Sequence, residues 1–506
     1  MKYCINSLHV LTFLFSSLLF ARPGYKLICP KEIRSLSTTF INAHDDINGS
    51  DLSQNLRELL VNNGYPFAQV SASESNEILT IEVKTGFYGK ATISGNNYLS
   101  DHSVLQNLNW RAGKVFNYSK FYTASSRLNH NRFIQVDTKL SPVRTKGGEI
   151  QVNADFKVQD KYPFSPYIKV SNDGTDQSSG WRSTVGAEVW ESLLPNDRLN
   201  FSYTLDPRDS SQLSSYFASY QFGSSSLRHT LYAGYSDSEY ENVISSLGMD
   251  IAGDGFFAGY GGLLPLASDS LALSFGVSYL DLSSQISLGT AKYNEDLNLF
   301  LPRIGFQGEI SHPGNFRGAT HWSISAVSDL GSTDESELKI QNPELDKGFW
   351  VPKASIAFIE PLEILDVKGG LKLKVDGQAS SVPLPTSLKK SIGGMSSIRG
   401  YREREAYGDS GVSMNFEYSL EAESTSIFGL DGNLQNVFFY DAGYVSSEGA
   451  LSAANDSIGM QSFGAGLLGK FEENTDLSLH VGIPLVDSLN TKAHDARTHF
   501  SINFRF

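Results

Sequence analysis

From about Tyr162 to Phe506 apolar and small or polar residues alternate with period two. Ser270 to Leu282 is representative: Leu271, Leu273, Phe275, Val277 and Tyr279 interleave with Ala272, Ser274, Gly276, Ser278 and Leu280, so one face is greasy and the other small or polar. The rhythm returns in Leu199/Phe201/Tyr203/Leu205, Tyr216/Ala218/Tyr220/Phe222, Val412/Met414/Phe416/Tyr418/Leu420 and Leu477/Leu479/Val481/Ile483. Turn clusters such as Pro195-Asn196-Asp197 separate the runs. The pattern predicts strands of about 9–11 residues, the length that crosses a bilayer at a tilt.

Ahead of Tyr162 helical and strand periods are mixed. Leu52, Leu56, Leu59 and Leu60 share one helical face, with Ser50 as the predicted N-cap and Asn62-Asn63-Gly64 as the stop. Strand-like runs follow at Phe67 to Ser71 and Ile78 to Val83. The order then repeats: a strand from Lys90 to Ser94, a turn at Gly95-Asn96-Asn97, and a helical face of Val104, Leu105 and Leu108. A further helix begins near Tyr118 with Phe121, Tyr122, Ser125 and Leu128 on one side, and Phe133 to Leu140 and Glu149 to Val158 read as strands. These patterns predict two small α+β modules, 25–86 and 87–161, before a strand-rich region 162–506. In the second module Tyr118, Phe121 and Tyr122 read as helix-core residues, with a groove lining as the alternative.

Composition narrows the class. Apolar residues make up only 40% and charged residues 19% of the chain, while Gly (45), Phe (31) and Tyr (23) are abundant, which excludes charge-rich disorder. The net charge of -14 argues against a nucleic-acid binder. Two cysteines, Cys4 and Cys29, exclude a disulfide framework, and the ten histidines form no metal-binding motif. Lys2, the apolar stretch Val10 to Phe20 and Ala21 have the layout of a secretory signal peptide over 1–21, so the chain is expected beyond the inner membrane. After Phe20 no run approaches the roughly 20 apolar residues of a spanning helix.

A soluble β-sandwich or solenoid would also alternate. Spanning length, aromatics near strand ends, and a polar face of Ser, Gly, Asn and Gln favour a transmembrane antiparallel β-barrel. The last strand carries Phe500, Ile502, Phe504 and Phe506 outward and Ser501, Asn503 and Arg505 inward, and in a barrel its edge pairs with the first strand.

The stretch Leu384 to Leu420 contains Gly393-Gly394, then Ile398-Arg399-Gly400-Tyr401, then Gly408-Asp409-Ser410-Gly411 and an alternating strand. It resembles the long-loop motif of two-partner secretion transporters, the haemolysin-activator-type outer-membrane proteins related to the barrel-assembly insertase. The second motif of that family, an aromatic-x-Asp-x-Gly strand, is matched by Phe439, Asp441 and Gly443. Asn63-Gly64-Tyr65, Leu79 to Val83 and Ile93-Ser94-Gly95-Asn96 resemble landmarks of its two periplasmic POTRA domains.

The resemblance implies a 16-stranded barrel in the outer membrane of a Gram-negative bacterium, a secreted exoprotein as substrate, and no cofactor. It implies that the long loop folds back into the lumen and that Arg399 pairs with Asp441. Read from the residues alone, Arg399 is a solvated loop charge and Asp441 a lumenal polar residue. Phe504 and Phe506 would serve as the C-terminal signal for the barrel-assembly machinery, and the transporter would act as a monomer among outer-membrane lipids. One departure from the family is expected: the first module begins near Tyr25, so either the plug helix is absent or the first module is degenerate. A barrel-assembly factor of the same superfamily and a passive porin remain as alternatives.

Two other motifs carry little weight. Gly464 to Phe471 matches most of a phosphate loop, but Phe471 replaces the required Ser or Thr and the segment alternates like its neighbours. Gly408-Asp409-Ser410-Gly411 lacks a triad context. No enzyme is expected.

Overall fold

The structure, a computed structural model, describes residues 25–506 apart from 45–47, 76–77, 176–177, 225, 245–248, 267–269, 289–290, 313–317, 365–366, 428, 450–456 and 473. The signal-like stretch 1–21 lies outside the described residues. Two compact units meet in sequence between Pro163 and Phe164.

The N-terminal unit contains the same β-α-α-β-β order twice. The first copy runs from strand Tyr25–Ile28 through helices Lys31–Ala43 and Gly49–Asn62 to strands Gln69–Ser75 and Ile78–Lys84. In the second, strand Gly86–Ser94 and helices Asp101–Asn107 and Tyr118–Asn129 precede strands Ile134–Arg144 and Ile150–Asp160. In each, the last strand lies in the middle of a three-stranded sheet, parallel to the first strand and antiparallel to the one before it. The first core gathers Ile33, Ile41, Leu52, Leu56, Leu60 and Ile81. The second is aromatic: Trp110 meets the rings of Tyr88, Phe156 and Phe121 edge-on at 4.8, 5.3 and 5.7 Å.

Several details differ from the sequence reading. Asn48 rather than Ser50 caps the long helix, because its side chain accepts the Asp51 N–H at 2.9 Å. Helix Lys31–Ala43, with Ile33, Ser37 and Ile41 inward, was not foreseen. The strand expected from Phe67 starts at Gln69, and the Phe67 ring instead lies 6.0 Å from that of Phe116. On helix Tyr118–Asn129 the buried face is Phe121, Ala124 and Leu128. Tyr122 is 62% and Tyr118 47% exposed, and the two rings stack on each other outside the core.

Asp160 ties the second module together at the end of its central strand. Its carboxylate accepts the N–H groups of Asn97, Tyr98 and Leu99, each at 2.8 Å. Burial opposes its charge, yet these donors outweigh it and hold the carboxyl below the usual range.

The second unit is a closed antiparallel barrel of 16 strands, in which Ser410–Leu420 and Glu423–Ile427 form one interrupted stave. It closes where Ser501–Arg505 of the last strand pairs with Tyr167–Ser171 of the first. Phe504 faces outward on that strand, and Phe506 lies just past its end, donating its N–H to the Pro166 carbonyl at 2.9 Å. Connections at one end are short, whereas 329–349, 379–409 and 485–496 at the other are long.

Several strands exceed the expected length, among them four consecutive ones: Arg228–Ile244, Met249–Pro265, Leu271–Leu288 and Ala291–Ser311 have 17, 17, 18 and 21 residues. The reason is a reversal of polarity part-way along. On Leu271–Leu288 the outward row passes from Phe275, Val277 and Tyr279 to Asp281, Ser283 and Gln285. On Ala291–Ser311 it passes from Ile310, Phe306, Ile304 and Phe300 to Asn298, Asp296 and Asn294. Tyr279 pairs in register with Phe300, and Asp281 with Asn298, so both change at one level. Beyond it the inward residues turn apolar. Leu297, Leu299 and Leu301, with Leu280 and Leu282 beside them, pack on Leu338, Leu345 and Phe349 of one long connection and Leu384 and Leu388 of another.

Candidate functional site

The connection between strands Val367–Gln378 and Ser410–Leu420 turns into the lumen and is fastened there at its middle. Gly393 and Gly394, at φ 106° and 91°, form the turn that opens the motif, and the Gly394 N–H reaches the Ile398 carbonyl at 3.0 Å. Ile398 is fully buried with Ile392, Tyr401, Ala406, Val445 and Met460. Gly443 makes room for it: a Cβ there would lie 2.9 Å from the Ile398 side chain.

Arg399, 4% exposed, lies against strand Leu430–Ser446, on which Phe439, Asp441 and Gly443 share the inward row. Its Nε and one terminal nitrogen donate to the two oxygens of Asp441 at 2.8 and 2.9 Å, a forked pairing that lysine has no geometry to reproduce. Its backbone N–H adds a bond to Asp441 at 3.0 Å, and Asn415 a further one at 2.9 Å, so the buried carboxylate accepts four hydrogen bonds. The other terminal nitrogen reaches Glu417 at 2.6 Å, and Lys372 lies 3.4 Å from the second oxygen of Glu417. The guanidinium carbon stands 3.6 Å above the centre of the Phe439 ring. Two cations and two carboxylates balance, which is what burial of this cluster requires.

Gly400 adopts φ 93° and lets two backbones touch: a Cβ on it would lie 2.9 Å from the Gly482 carbonyl carbon, and one on Gly482 would lie 2.4 Å from the Gly400 nitrogen. The Gly400 N–H donates to His499 Nε2 at 2.9 Å, which fixes that imidazole nitrogen as the unprotonated one. The Tyr401 hydroxyl lies 2.9 Å from the Gln461 carbonyl and 2.8 Å from that of Val486. Through consecutive residues the loop thus engages the inner wall of the last five strands.

The solvated-charge reading of Arg399 does not hold, since it is buried. Glu417, Asn415, Lys372 and His499 were missed. Glu417 and Asn415 were detectable in principle, as polar residues on the opposite parity from Val412, Met414, Phe416 and Tyr418. Among the described residues no cluster of histidine, cysteine and acidic side chains suits a metal. What the arrangement can do is hold a loop against a wall.

Residues 318–469, which contain Arg399, Glu417 and Asp441, match the family described as haemolysin secretion/activation protein ShlB/FhaC/HecB. That stretch is similar to the two-partner secretion transporters. The chain is 22% identical over 482 residues to the heme/hemopexin transporter protein HuxB of Haemophilus influenzae strain 86-028NP, spanning 87% of this chain and 78% of that protein. Its fold is shared with CdiB from Acinetobacter baumannii (TM-score 0.73, 18% identity, 96% of this chain and 89% of that one). CdiB from Escherichia coli is similarly related (TM-score 0.75, 14% identity, 96% and 90%). The family match, the barrel and the modules together place the chain in the Gram-negative outer membrane.

Proposed function

We propose that this transporter captures a haemolysin- or adhesin-like exoprotein in the periplasm with its N-terminal modules and passes it through the barrel unfolded, as a monomer and without nucleotide hydrolysis or other catalysis. The buried contact of Arg399 with Asp441 and Glu417 carries the reading. A passive pore has no need of a loop fastened to its wall by a neutral, fully bonded charge cluster, whereas a transporter must hold its passage shut and release it for cargo.

The modules support the capture step. Each three-stranded sheet has outer strands on both sides of its central one, and such edges accept an extended segment through backbone hydrogen bonds that demand little sequence. The exposed stacked pair Tyr118 and Tyr122 offers an apolar contact on the helix that packs against one of the outer strands. Gly464 to Phe471, the phosphate-loop look-alike, is part of barrel strand Ser457–Phe471, which suits transport that draws no energy from nucleotides. Folding of the cargo outside then supplies the direction.

One observation favours a second reading, an assembly factor that inserts other barrels. The ladder between last and first strands runs only from Ser501 to Arg505, supplemented by the Asn172 backbone N–H and side chain and by the Phe506 N–H. Deleting the gene separates the two: loss of one large protein from the medium, with other outer-membrane barrels intact, supports secretion, and general loss of barrels overturns it. Deleting 87–160 is expected to abolish cargo capture, read by co-purification with the exported protein.

A further inference from the structure

Next to the leucine cluster, three elements each step from an apolar residue to a cation two positions on: Leu301 to Arg303, Val351 to Lys353, and Leu388 to Lys390. Arg303 and Lys353 lie on inward rows of strands Ala291–Ser311 and Trp350–Ile364, with Lys374 following on the inward row of Val367–Gln378. Lys374 lies 3.6 Å from Asp376, and Lys390 bonds the same carboxylate. Arg303 and Lys353 are exposed, and neither pairs with a carboxylate among the described residues.

Three cations of the wall and one of the connection therefore stand with a single paired anion, Asp376, in a chain whose net charge is -14. The contrast with Arg399 and Lys372, which Asp441 and Glu417 neutralise, is direct. The space beside the cluster is open as well. A Cβ added at Gly261, on the same inward level, would have only the Arg303 guanidinium within 4 Å, at 3.9 Å.

We propose that Arg303, Lys353, Lys374 and Lys390 form a docking site for an acidic segment of the polypeptide inside the barrel. The inference rests on the translocation reading above. Unpaired cations on a low-dielectric wall concentrate the opposite charge in front of them. Arg303 and Lys353 stand on strands with one strand between them, about 10 Å apart, which is the reach of three residues of an extended chain. An extended segment carrying several carboxylates bridges that gap, and a single small anion does not.

The test uses purified full-length protein in detergent and a fluorescein-labelled glutamate-rich peptide, with binding read by anisotropy. The wild type is expected to bind it and to release it as salt rises. Arg303→Gln with Lys353→Gln is expected to weaken binding by about tenfold or more, whereas Arg303→Lys with Lys353→Arg stays within about threefold. If the double glutamine variant does not fold, Lys374→Gln, which leaves Asp376 to Lys390, carries the same comparison.

Equal binding by wild type and glutamine variants overturns the site, as does equal binding of a lysine-rich peptide. Full displacement of the peptide by inorganic phosphate at matched ionic strength assigns the cations to small anions and overturns the polypeptide. The measurement needs no secretion. A chain that exports its cargo but binds no acidic peptide loses this site alone, and one that binds the peptide but exports nothing loses the translocation reading.

Discussion

Below the level of Tyr279 and Phe300 the barrel is apolar outside and polar inside; above it, the same strands are polar outside and pack leucines inside. The lower region has the polarity of a protein dissolved in lipid, and the upper that of one dissolved in water. Both regions hold the same connection, 379–409, by opposite chemistry. Leu384 and Leu388 enter the dry cluster, while Arg399 is buried among carboxylates and Phe439. Burial alone does not define a core; the solvent it excludes does.

Four experiments break or sharpen that comparison. The largest effect is expected at the polar fastening. Arg399→Ala strands Asp441 and Glu417 without their guanidinium, a loss of about 3–5 kcal/mol for a broken buried pair. Secretion should cease while heat-modifiable migration shows the barrel still inserted; normal secretion would remove the fastening from the mechanism. At the dry fastening, Leu299→Ala should cost about 2–5 kcal/mol through the cavity it leaves, read as faster proteolysis of connections 329–349 and 379–409 with the membrane region unchanged.

The outward row tests the boundary. Ile304→Arg, on the lipid side, should destabilise the barrel by about 2–4 kcal/mol in a lipid-refolding titration, whereas Asn294→Arg, ten register pairs beyond it on the same row of the strand, should leave the midpoint in place. Equal effects would mean that the polarity change does not mark the membrane edge. The smallest effect is expected away from both regions, at Asp160. Its carboxyl is depressed in the folded chain, so its contribution is present above the unfolded value of about 3.9 and disappears as pH falls through the lower folded value. After correction for intrinsic rates, the amides of Asn97 to Leu99 should exchange faster below about pH 4, and Asp160→Asn should remove that dependence at a cost of about 1 kcal/mol.

Period two made the strands and the barrel legible, because one side of each strand meets lipid and the other does not. It hid their length. When polarity reverses at Tyr279 and Asp281 the alternation continues with the opposite sign, so Leu280 and Leu282 read as a fading pattern instead of the start of a second core. The short helix Glu335–Gln341 in the long connection went unnoticed for a related reason: only Leu338 of its seven residues is buried.

At the site, the resemblance drew attention to Arg399 and Asp441, which no local pattern connects across 42 positions. His499 and Gly482 were illegible. Their meeting with Gly400 depends on the curvature of the last five strands, which brings the final two round to the loop. In the modules, helix Lys31–Ala43 was missed because Ser37 stands between Ile33 and Ile41 on its buried stripe.

The polarity reversal also constrains how the molecule can be made. Asp237, Asp254, Asp281 and Asp296 all stand on outward rows beyond the apolar band. A finished cylinder pushed into the bilayer from the periplasmic side would drag each of them through hydrocarbon at about 3 kcal/mol apiece. The barrier is lowest if these staves enter as open hairpins, in a patch where the bilayer is thinned, and the cylinder shuts only after its rim has emerged on the far side.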